Sequence, residues 1–373
     1  MKDVAVKDLE MTTTLTALAA SPLTGKKVLV TGGAGFIGSH IVDLLCAEGC
    51  AEIVVLDNLV RGRVSNLAHA QAHSHAGRRV TLVEGDIRDT GLMAGLVAGC
   101  DTVFHQAALR ITHCAEDPRA AMEVMVDATF ELLTECQRQE VRKVVMASSA
   151  SIYGLAQHFP TPESDNPYDN RTLYGAAKSF GEGLLRSFND MYGLDYVALR
   201  YFNVYGPRMD VHGRYTEVMV RWMERITRGE PPLIFGDGAQ TMDMIHVADV
   251  ARANILAARA PVTDRVFNIG SQTETSLLQL AHLFTASMGR PDLAPVHQAE
   301  RAVNPVPRRL ALVAEAWSQL GFEAQIPPET GIPDLIAWWQ AETGQPPAGP
   351  SSGSAGGSSV GSRDRKLAPG VAG

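Results

Sequence analysis

Short runs rich in β-branched residues alternate with longer amphipathic stretches along the first half of the chain. The strand-like runs are Lys27–Thr31, Glu52–Leu56, Val80–Val83, Thr102–His105, Lys143–Ala147 and Tyr196–Leu199. Helical patterns separate most of them, and alternation of this kind is typical of a parallel sheet covered by helices on both faces. The pattern therefore predicts an α/β fold built on a doubly wound parallel sheet.

The alternation loosens after residue 200, where Pro and Gly cluster at 206–213 and 229–238. We therefore predict a sheet domain over 25–200 and a smaller C-terminal lobe over 201–344, partly interleaved with the sheet. Residues 1–24 are predicted to be a flexible leader. The last stretch, 345–373, is rich in Gly and Ser and cannot bury a core, so we predict a disordered tail.

Charge and cysteine content exclude several classes of protein. The net charge of −8 argues against a nucleic-acid-binding surface, and no apolar run is long enough to span a bilayer. The leader carries acids at Asp3, Asp8 and Glu10, which a signal peptide would not. Five cysteines without a CxxC pair indicate a reduced, cytoplasmic protein, and no metal site is predicted.

A glycine-rich loop follows the first strand and leads into an amphipathic helix. Gly32, Gly33, Gly35 and Gly38 satisfy both GxGxxG and GxxGxxG spacings. A loop of this kind at a helix N-terminus lets the backbone approach a pyrophosphate. The position between strand and helix makes a dinucleotide site the favoured interpretation over a simple tight turn.

The second strand ends in Asp57, nineteen residues after Gly38. A carboxylate here accepts hydrogen bonds from the adenosine ribose hydroxyls and repels a 2′-phosphate, which favours NAD as the cofactor. Arg61 and Arg63 follow closely and could instead receive that phosphate, so NADP stays open at this point.

A serine, a tyrosine and a lysine form the candidate catalytic group. Tyr174 and Lys178 are four residues apart and share one helical face, while Ser149 follows the fifth strand. The tyrosine would exchange the substrate hydroxyl proton, and the lysine ammonium would stabilise the phenolate. Work near neutral pH requires the tyrosine pKa to fall by about 2–3 pH units, or about 3–4 kcal/mol.

The glycine loop and the Ser/Tyr/Lys group together resemble extended short-chain dehydrogenase/reductases of the NAD-dependent epimerase/dehydratase family, over residues 26–342. The resemblance implies a Rossmann fold, NAD as cofactor and catalytic roles for Ser149, Tyr174 and Lys178. Besides Tyr174 and Lys178, the cofactor positions that it implies are Gly32, Gly35, Phe36, Ile37, Gly38, Asp57, Asn58, Asp86, Ile87, Gln106, Ala107, Ala108, Arg110 and Tyr201.

The residues after the serine predict which reaction is catalysed. Dehydratases and decarboxylases of the family place an acid just before the Val/Ile-Tyr-Gly sequence, whereas this chain has Ala150 and Ser151 there. Without a second acid or base, the reaction that remains is oxidation at C4 followed by return of the hydride to the other face of the sugar. An enzyme that catalyses this reaction is a sugar 4-epimerase. Nucleotide-sugar dehydratases, decarboxylases or 4-reductases, and a redox sensor that binds NAD without turnover, are the alternatives.

The resemblance also implies a UDP-sugar site in the C-terminal lobe. Its members would be Ser149, Ser151, Asn203, Arg208, Arg214, Thr216, Leu233, Phe235 and Arg301. The chain departs from the family pattern at three places, having Met242 for an arginine, Asn304 for an acid and Met125 for an asparagine. These changes weaken the assignment of the residues that contact the phosphates and the ribose. They do not affect the assignment of the catalytic residues.

The sugar itself is the least determined feature. Arg208 and Arg214 could bind a C6 carboxylate, although they could equally contact the diphosphate or solvent. Overall resemblance favours UDP-glucuronate 4-epimerases of the kind that supply galacturonic acid for moenomycin-type antibiotics. UDP-glucose or UDP-N-acetylglucosamine is the alternative substrate.

The helix that begins at Thr172 has a second stripe made of Phe180, Leu184 and Phe188. The stripe either faces the core or, with the helix over 119–138, forms an intersubunit four-helix bundle, as the family does. We predict a homodimer. Trp338 and Trp339, by contrast, are expected to be core or surface aromatics rather than a sugar platform.

Overall fold

Seven parallel strands form the central sheet of the computed structural model, which describes residues 21–74, 79–211, 218–299 and 306–345. The strands in chain order are β1 Lys27–Thr31, β2 Glu52–Asp57, β3 Arg79–Glu84, β4 Thr102–His105, β5 Lys143–Ser149, β6 Asp195–Tyr201, β7 Asn203–Tyr205, β8 Leu233–Phe235, β9 Thr241–His246, β10 Arg265–Ile269, β11 Glu274–Ser276 and β12 Val296–Gln298. The sheet order is β10-β6-β5-β4-β1-β2-β3. All six strands predicted from sequence are confirmed, within two residues at each end.

This order reverses direction at the centre of the sheet. The chain runs outward from β1 through β2 to β3, and then outward on the other side from β4 through β5 and β6. In sheets of this kind the crevice beyond the carboxyl ends of the strands at the reversal point is where ligands bind. The predicted Rossmann-type α/β fold is therefore confirmed, with β1 and β4 at its switch point.

Helices cover both faces of the sheet and build the second lobe. They are α1 Phe36–Ala47, α2 Ala68–Ala72, α3 Thr90–Val97, α4 Ile111–Glu116, α5 Pro118–Met122, α6 Ala128–Arg138, α7 Leu173–Tyr192, α8 Val218–Thr227, α9 Val247–Arg259, α10 Leu277–Ser287, α11 Ala314–Leu320 and α12 Pro328–Thr343. Successive residues of β1 alternate between two cores. Val28 and Val30 pack with α1 and α9, whereas Leu29 packs with α3, α6 and α7.

Residues beyond 200 contribute to the sheet as well as to the smaller lobe. β10 pairs with β6 at the sheet edge, and α9 packs beside α1. The lobe itself joins β7, β9 and β11 in one small sheet and β8 and β12 in another. Its core includes Trp222, Phe284 and Trp339, with the Trp222 and Phe284 rings edge to face at 6.0 Å.

The folded part of the chain begins earlier than the sequence suggested. Residues 21–24, which we assigned to the leader, form a turn, and Leu23 is fully buried in the core beside α1. Residues 21–24 therefore belong to the fold and not to the leader. Arg214, Thr216, Arg301, Asn304 and the segments 1–20 and 346–373 lie outside the described residues.

Across the four described ranges, no helix combines the length and the apolar character needed to cross a membrane. Within the same ranges, no three His, Cys, Asp or Glu side chains come together as a metal site would require.

Candidate active site

A cleft of about 1000 Å³ opens at the carboxyl ends of the central strands, between the sheet and the smaller lobe. All sixteen residues predicted for the cofactor line it. So do Ser149, Ser151, Arg208 and Phe235 from the predicted catalytic and substrate sets. The carboxyl ends of parallel strands meet at one edge, which explains why residues so distant in sequence come together.

The glycine loop forms one wall of the cleft, with backbone too close for side chains. Gly32 has a φ of +68°, and a Cβ added there would lie 2.8 Å from the Ala107 nitrogen. At Gly38 a Cβ would lie 2.3 Å from the Gly32 carbonyl oxygen. The helix α1 starts here with no side-chain cap on its free amides. A cradle of uncapped amides fits the pyrophosphate of a dinucleotide.

Asp57 lies at the end of β2 with its carboxylate held by the backbone. The amides of Ala34 and Leu59 donate to its two oxygens at 3.0 and 2.9 Å. Burial raises the pKa of Asp57, and these hydrogen bonds oppose the rise. A fixed carboxylate at this position fits the ribose hydroxyls of NAD.

Arg61 and Arg63, which kept NADP as a possible cofactor, form ion pairs with residues of the smaller lobe. Arg61 lies 3.3 Å from a carboxylate oxygen of Asp210, and Arg63 lies 3.0 Å from one of Glu342. Both pairs cross from the loop after β2 to the smaller lobe. These arginines therefore link the two sides of the cleft, and both are paired with carboxylates at the place where a 2′-phosphate would need a free cation.

Ser149, Tyr174 and Lys178 come together on the floor of the cleft. Ser149 ends β5, and its hydroxyl is near enough to Tyr174 to favour a lower pKa of that residue. Tyr174 lies in the first turn of α7, whose amide at Gly175 donates to the Thr172 side chain at 3.0 Å. One turn later, the Lys178 ammonium donates to the Ala147 carbonyl at 2.6 Å and lies 5.8 Å from the Tyr174 ring centre.

The electrostatics of this group differ from the expectation in one respect. Burial raises the pKa of Tyr174, and the Ser149 hydroxyl opposes the rise. Burial lowers the pKa of Lys178 to about 8. The expected fall in the tyrosine pKa is thus not found in the protein groups alone, because desolvation outweighs the effect of the hydroxyl. When NAD is bound, the positive charge of its nicotinamide ring would favour a lower tyrosine pKa.

Arg208 lines the cleft but is already paired. Its guanidinium lies 2.7 Å from a carboxylate oxygen of Asp43 on α1, and its φ is +67°. The other terminal nitrogen, Nη1, is buried and has no hydrogen-bond partner in the described part of the chain, so a role of Arg208 in substrate binding stays a prediction. Of the other substrate residues, Asn203 and Leu233 do not line the cleft.

Several residues in the cleft or directly behind it had no sequence signal. Asn254 on α9 accepts from the Tyr201 hydroxyl at 2.9 Å and so fixes that ring beside the cofactor positions. The smaller lobe adds Arg221, Trp338 and Glu342 to the lining. Trp338 was not expected there, whereas Trp339 is buried in the lobe core as an expected core aromatic. These contacts depend on tertiary packing, which local pattern does not encode.

A buried polar chain lies behind Lys178. His105 contacts the hydroxyl oxygens of Thr31 and Thr129 at 2.8 and 3.2 Å, and Thr129 donates to the Met125 carbonyl at 2.9 Å. The Met125 side chain, at the position where the family pattern has asparagine, is buried with its sulfur 3.6 Å from that of Cys114. An apolar pair thus takes the place of an amide.

Comparison with known proteins agrees with this geometry. The family model described as "NAD dependent epimerase/dehydratase family" matches residues 28–270. A putative UDP-glucose 4-epimerase of Methanocaldococcus jannaschii is 33% identical over 319 residues, which cover 83% of this chain and 97% of that relative.

Two solved structures are similar over most of their length. The UDP-N-acetylglucosamine 4-epimerase of Methanobrevibacter ruminantium, in complex with UDP-N-acetylmuramic acid, has a TM-score of 0.79 and 32% identity and covers 86% of this chain and 99% of its own. The UDP-glucose 4-epimerase of Thermotoga maritima, with UDP-glucose, has a TM-score of 0.78 and 34% identity and covers 85% and 99%. The chain belongs to the NAD-dependent epimerase/dehydratase family.

Proposed function

We propose that this protein is an isomerase, a UDP-sugar 4-epimerase with NAD as cofactor, and that its substrate is UDP-glucuronate, converted to UDP-galacturonate. The observation that carries the reaction is the meeting of Ser149, Tyr174 and Lys178 at the floor of a cleft whose opposite wall is the glycine loop. The similar 4-epimerases named above support UDP as the nucleotide.

The residues divide the proton chemistry among themselves. Ser149 and Tyr174 hold the C4 hydroxyl oxygen of the sugar, and Tyr174 takes its proton as the hydride leaves C4. NAD, when bound, accepts that hydride and gives it back. The Lys178 ammonium stabilises the deprotonated form of Tyr174 that accepts this proton, because opposite charges attract strongly in a buried site. After the 4-keto sugar presents its other face, Tyr174 returns the proton to the oxygen.

The neighbourhood of Ser149 supports epimerisation over elimination or decarboxylation. Positions 150 and 151 carry Ala and Ser, so no carboxylate follows the serine. Ala150 is buried and Ser151 lines the cleft, with its amide donating to the Ser149 hydroxyl at 3.1 Å. This segment therefore supplies no base to remove a proton from C5 and no acid to protonate a leaving group at C6.

The reaction is tested by incubating the protein with UDP-glucuronate, UDP-glucose and UDP-N-acetylglucosamine and following each mixture by NMR. An equilibrium pair of C4 epimers is the expected result. A 4-keto-6-deoxy sugar would point to a dehydratase, a pentose to a decarboxylase, and no change at all to a redox sensor. Any of these three results would refute the epimerase.

The choice of uronate is tested separately by comparing kcat/KM for the charged and the neutral hexose. We expect UDP-glucuronate to be preferred. A clear preference for UDP-glucose or its N-acetyl analogue would refute the substrate and leave the 4-epimerase reaction standing.

We also propose a homodimer that pairs α6 and α7 of one subunit with the same helices of another. Four apolar side chains on α6 and α7 are 45 to 66% exposed, namely Phe130, Phe180, Met191 and Tyr192. Phe188, from the predicted stripe, is buried and lies edge to face against Phe130 at 5.9 Å. A contiguous apolar face on two adjacent helices is typical of a bundle interface.

Light scattering tests the assembly. The expected mass is twice the 40.1 kDa of one chain, and Phe180→Glu should lower it, because a charge at an apolar interface is costly. Leu278→Glu on the separate helix α10, at another exposed apolar residue, is the control and should leave the mass unchanged. A wild-type mass near 40 kDa at micromolar concentration would refute the dimer.

A further inference from the structure

Glu182 on α7 is a buried acid that the chemistry described above does not use. It lies four residues after Lys178, so the two share one face of the helix. Glu182 forms a two-point ion pair with Arg200 on β6, at 2.9 and 2.7 Å, and the two side chains are 10% and 7% exposed. Neither residue lines the cleft, so an effect of Glu182 on the reaction has to pass through its neighbours.

The Glu182 carboxylate holds the end of the strand that carries the catalytic serine. The Ser148 hydroxyl donates to one of the carboxylate oxygens at 2.5 Å. Ser148 is buried and directly precedes Ser149 at the end of β5. Because the two serines are consecutive in the chain, a contact that fixes Ser148 also fixes the backbone of Ser149.

Arg200 extends these contacts to the next strand. In the sheet register Arg200 is opposite Ser148, and Tyr201, which lines the cleft, is opposite Ser149. The Arg200 guanidinium also donates to the Tyr153 hydroxyl at 2.8 Å, in the segment that follows Ser149. The ion pair therefore joins α7 to the ends of β5 and β6, one residue away from the cleft residues of each strand.

The charge of Glu182 also acts on Lys178. Burial lowers the pKa of Lys178 to about 8, whereas Cys114 on α4 and Glu182 act in the opposite direction. His105 on β4 and Tyr174 lie near Lys178 as well. Burial raises the pKa of Cys114 and of Tyr174 and lowers that of His105 to about 3, so these three are neutral near pH 7. The negative charge close to the ammonium is thus the carboxylate of Glu182, which favours the protonated lysine.

We infer that Glu182 is a positioning residue: it holds the strand end that carries Ser149 against the helix that carries Tyr174 and Lys178. This inference rests on the proposed function. A buried ion pair is a poor source of stability, because the cost of taking both charges out of water offsets their attraction. Its two-point geometry does specify one arrangement of the groups that it joins. A misplacement of about 1 Å at reacting groups is enough to slow a reaction about 100-fold.

The test measures kcat, KM and the pH dependence of kcat/KM for C4 epimerisation of the preferred UDP-sugar. Glu182→Gln removes the charge. We expect kcat at pH 7 to fall about 10-fold or more, and KM to stay within about 2-fold because Glu182 does not line the cleft. The fall of kcat/KM at alkaline pH should begin about 1 pH unit lower than in the wild type, because Lys178 loses a neighbouring anion.

Two further variants separate position from charge. Ser148→Ala removes the hydroxyl that donates to Glu182 and keeps the ion pair, so kcat should fall several-fold while the pH dependence stays that of the wild type. Glu52→Gln is the control, because it breaks an ion pair with Arg79 at the amino end of β2, away from the cleft. It should keep the wild-type kcat, KM and pH dependence.

Glu182→Gln leaves Arg200 buried without a counter-charge, which is costly, so Glu182→Gln/Arg200→Met removes both charges and guards against misfolding. In this double variant the Tm should recover and the alkaline fall should move back toward the wild-type pH. Its kcat should stay below that of the wild type, because nothing holds the two strand ends to α7. A purely structural role would instead let kcat recover together with the Tm.

The inference is overturned if Glu182→Gln keeps the wild-type kcat and pH dependence, or if kcat returns to the wild-type value in the folded double variant. If the wild type epimerises no UDP-sugar, the proposed function fails and this inference fails with it. If the wild type epimerises a UDP-sugar and the Glu182 variants do so equally fast, only this inference fails.

Discussion

Replacing His105 with asparagine should make the free energy of unfolding depend less on pH between pH 8 and pH 5. The imidazole is buried between Thr31 and Thr129, with Lys178 nearby. The Thr129 hydroxyl donates to the Met125 carbonyl, so it accepts from Nε2 of His105, and Nδ1 accepts from the Thr31 hydroxyl. Both ring nitrogens are thereby satisfied in the neutral form, and an added proton would place a second positive charge in a buried site near Lys178.

The magnitude follows from the two pKa values. Burial and the Lys178 charge lower the pKa of His105 from 6.5 to about 3. Between pH 6.5 and pH 3, His105 therefore binds a proton in the unfolded chain but not in the folded chain. Its contribution to the free energy of unfolding is complete above pH 6.5 and is lost as the pH falls toward 3. Between pH 8 and pH 5 the loss that this residue causes is about 2 kcal/mol.

Urea unfolding at pH 8 and pH 5, at one protein concentration, measures this difference. Burial also lowers the pKa of His40, to about 4, so the wild type loses more than the contribution of His105 alone. The informative quantity is the change in pH dependence in His105→Asn, which should be smaller than that of the wild type by about 2 kcal/mol. His282→Asn, at an exposed histidine, is the control. A pH dependence in His105→Asn equal to that of the wild type would refute the argument.

Three further predictions concern catalysis and the cofactor. Tyr174→Phe should keep bound NAD but slow epimerisation about 100-fold or more, because the proton acceptor is lost; turnover by NMR checks this. Burial lowers the pKa of Lys178 to about 8, so kcat/KM should fall above that pH as the ammonium loses its proton, and Lys178→Met, already slow, should lack this fall. Glu342→Gln removes the ion pair with Arg63 across the cleft and should raise the rate of NAD release a few-fold, a modest effect for a partly exposed pair, measured by fluorescence.

The parts that sequence predicted correctly depend on local spacing. The six strands were visible as β-branched runs, and β1 shows why, since its successive residues face two different cores. The pairing of Tyr174 with Lys178 follows from a separation of one helical turn. The glycine loop was visible because its close backbone contacts exclude side chains at Gly32 and Gly38.

The parts that sequence missed depend on contacts between distant residues. The strand β10 was not predicted, because it lies where the alternation had already loosened. Asn254 lies 53 positions after Tyr201, and nothing in the spacing of the two indicates that they share a hydrogen bond. Leu23 looked like leader sequence because only the folded core shows the space that it fills.

The arginines show most clearly why specificity is harder to predict than chemistry. Sequence analysis placed Arg61, Arg63 and Arg208 near the ligands. Only the structure shows that each has a carboxylate partner, which is Asp210 for Arg61, Glu342 for Arg63 and Asp43 for Arg208. A guanidinium is always charged, so its availability depends on its partners and not on its own titration. Whether an arginine selects a substrate is therefore a property of the fold around it, whereas the Ser, Tyr and Lys chemistry follows from three residue types at fixed spacing.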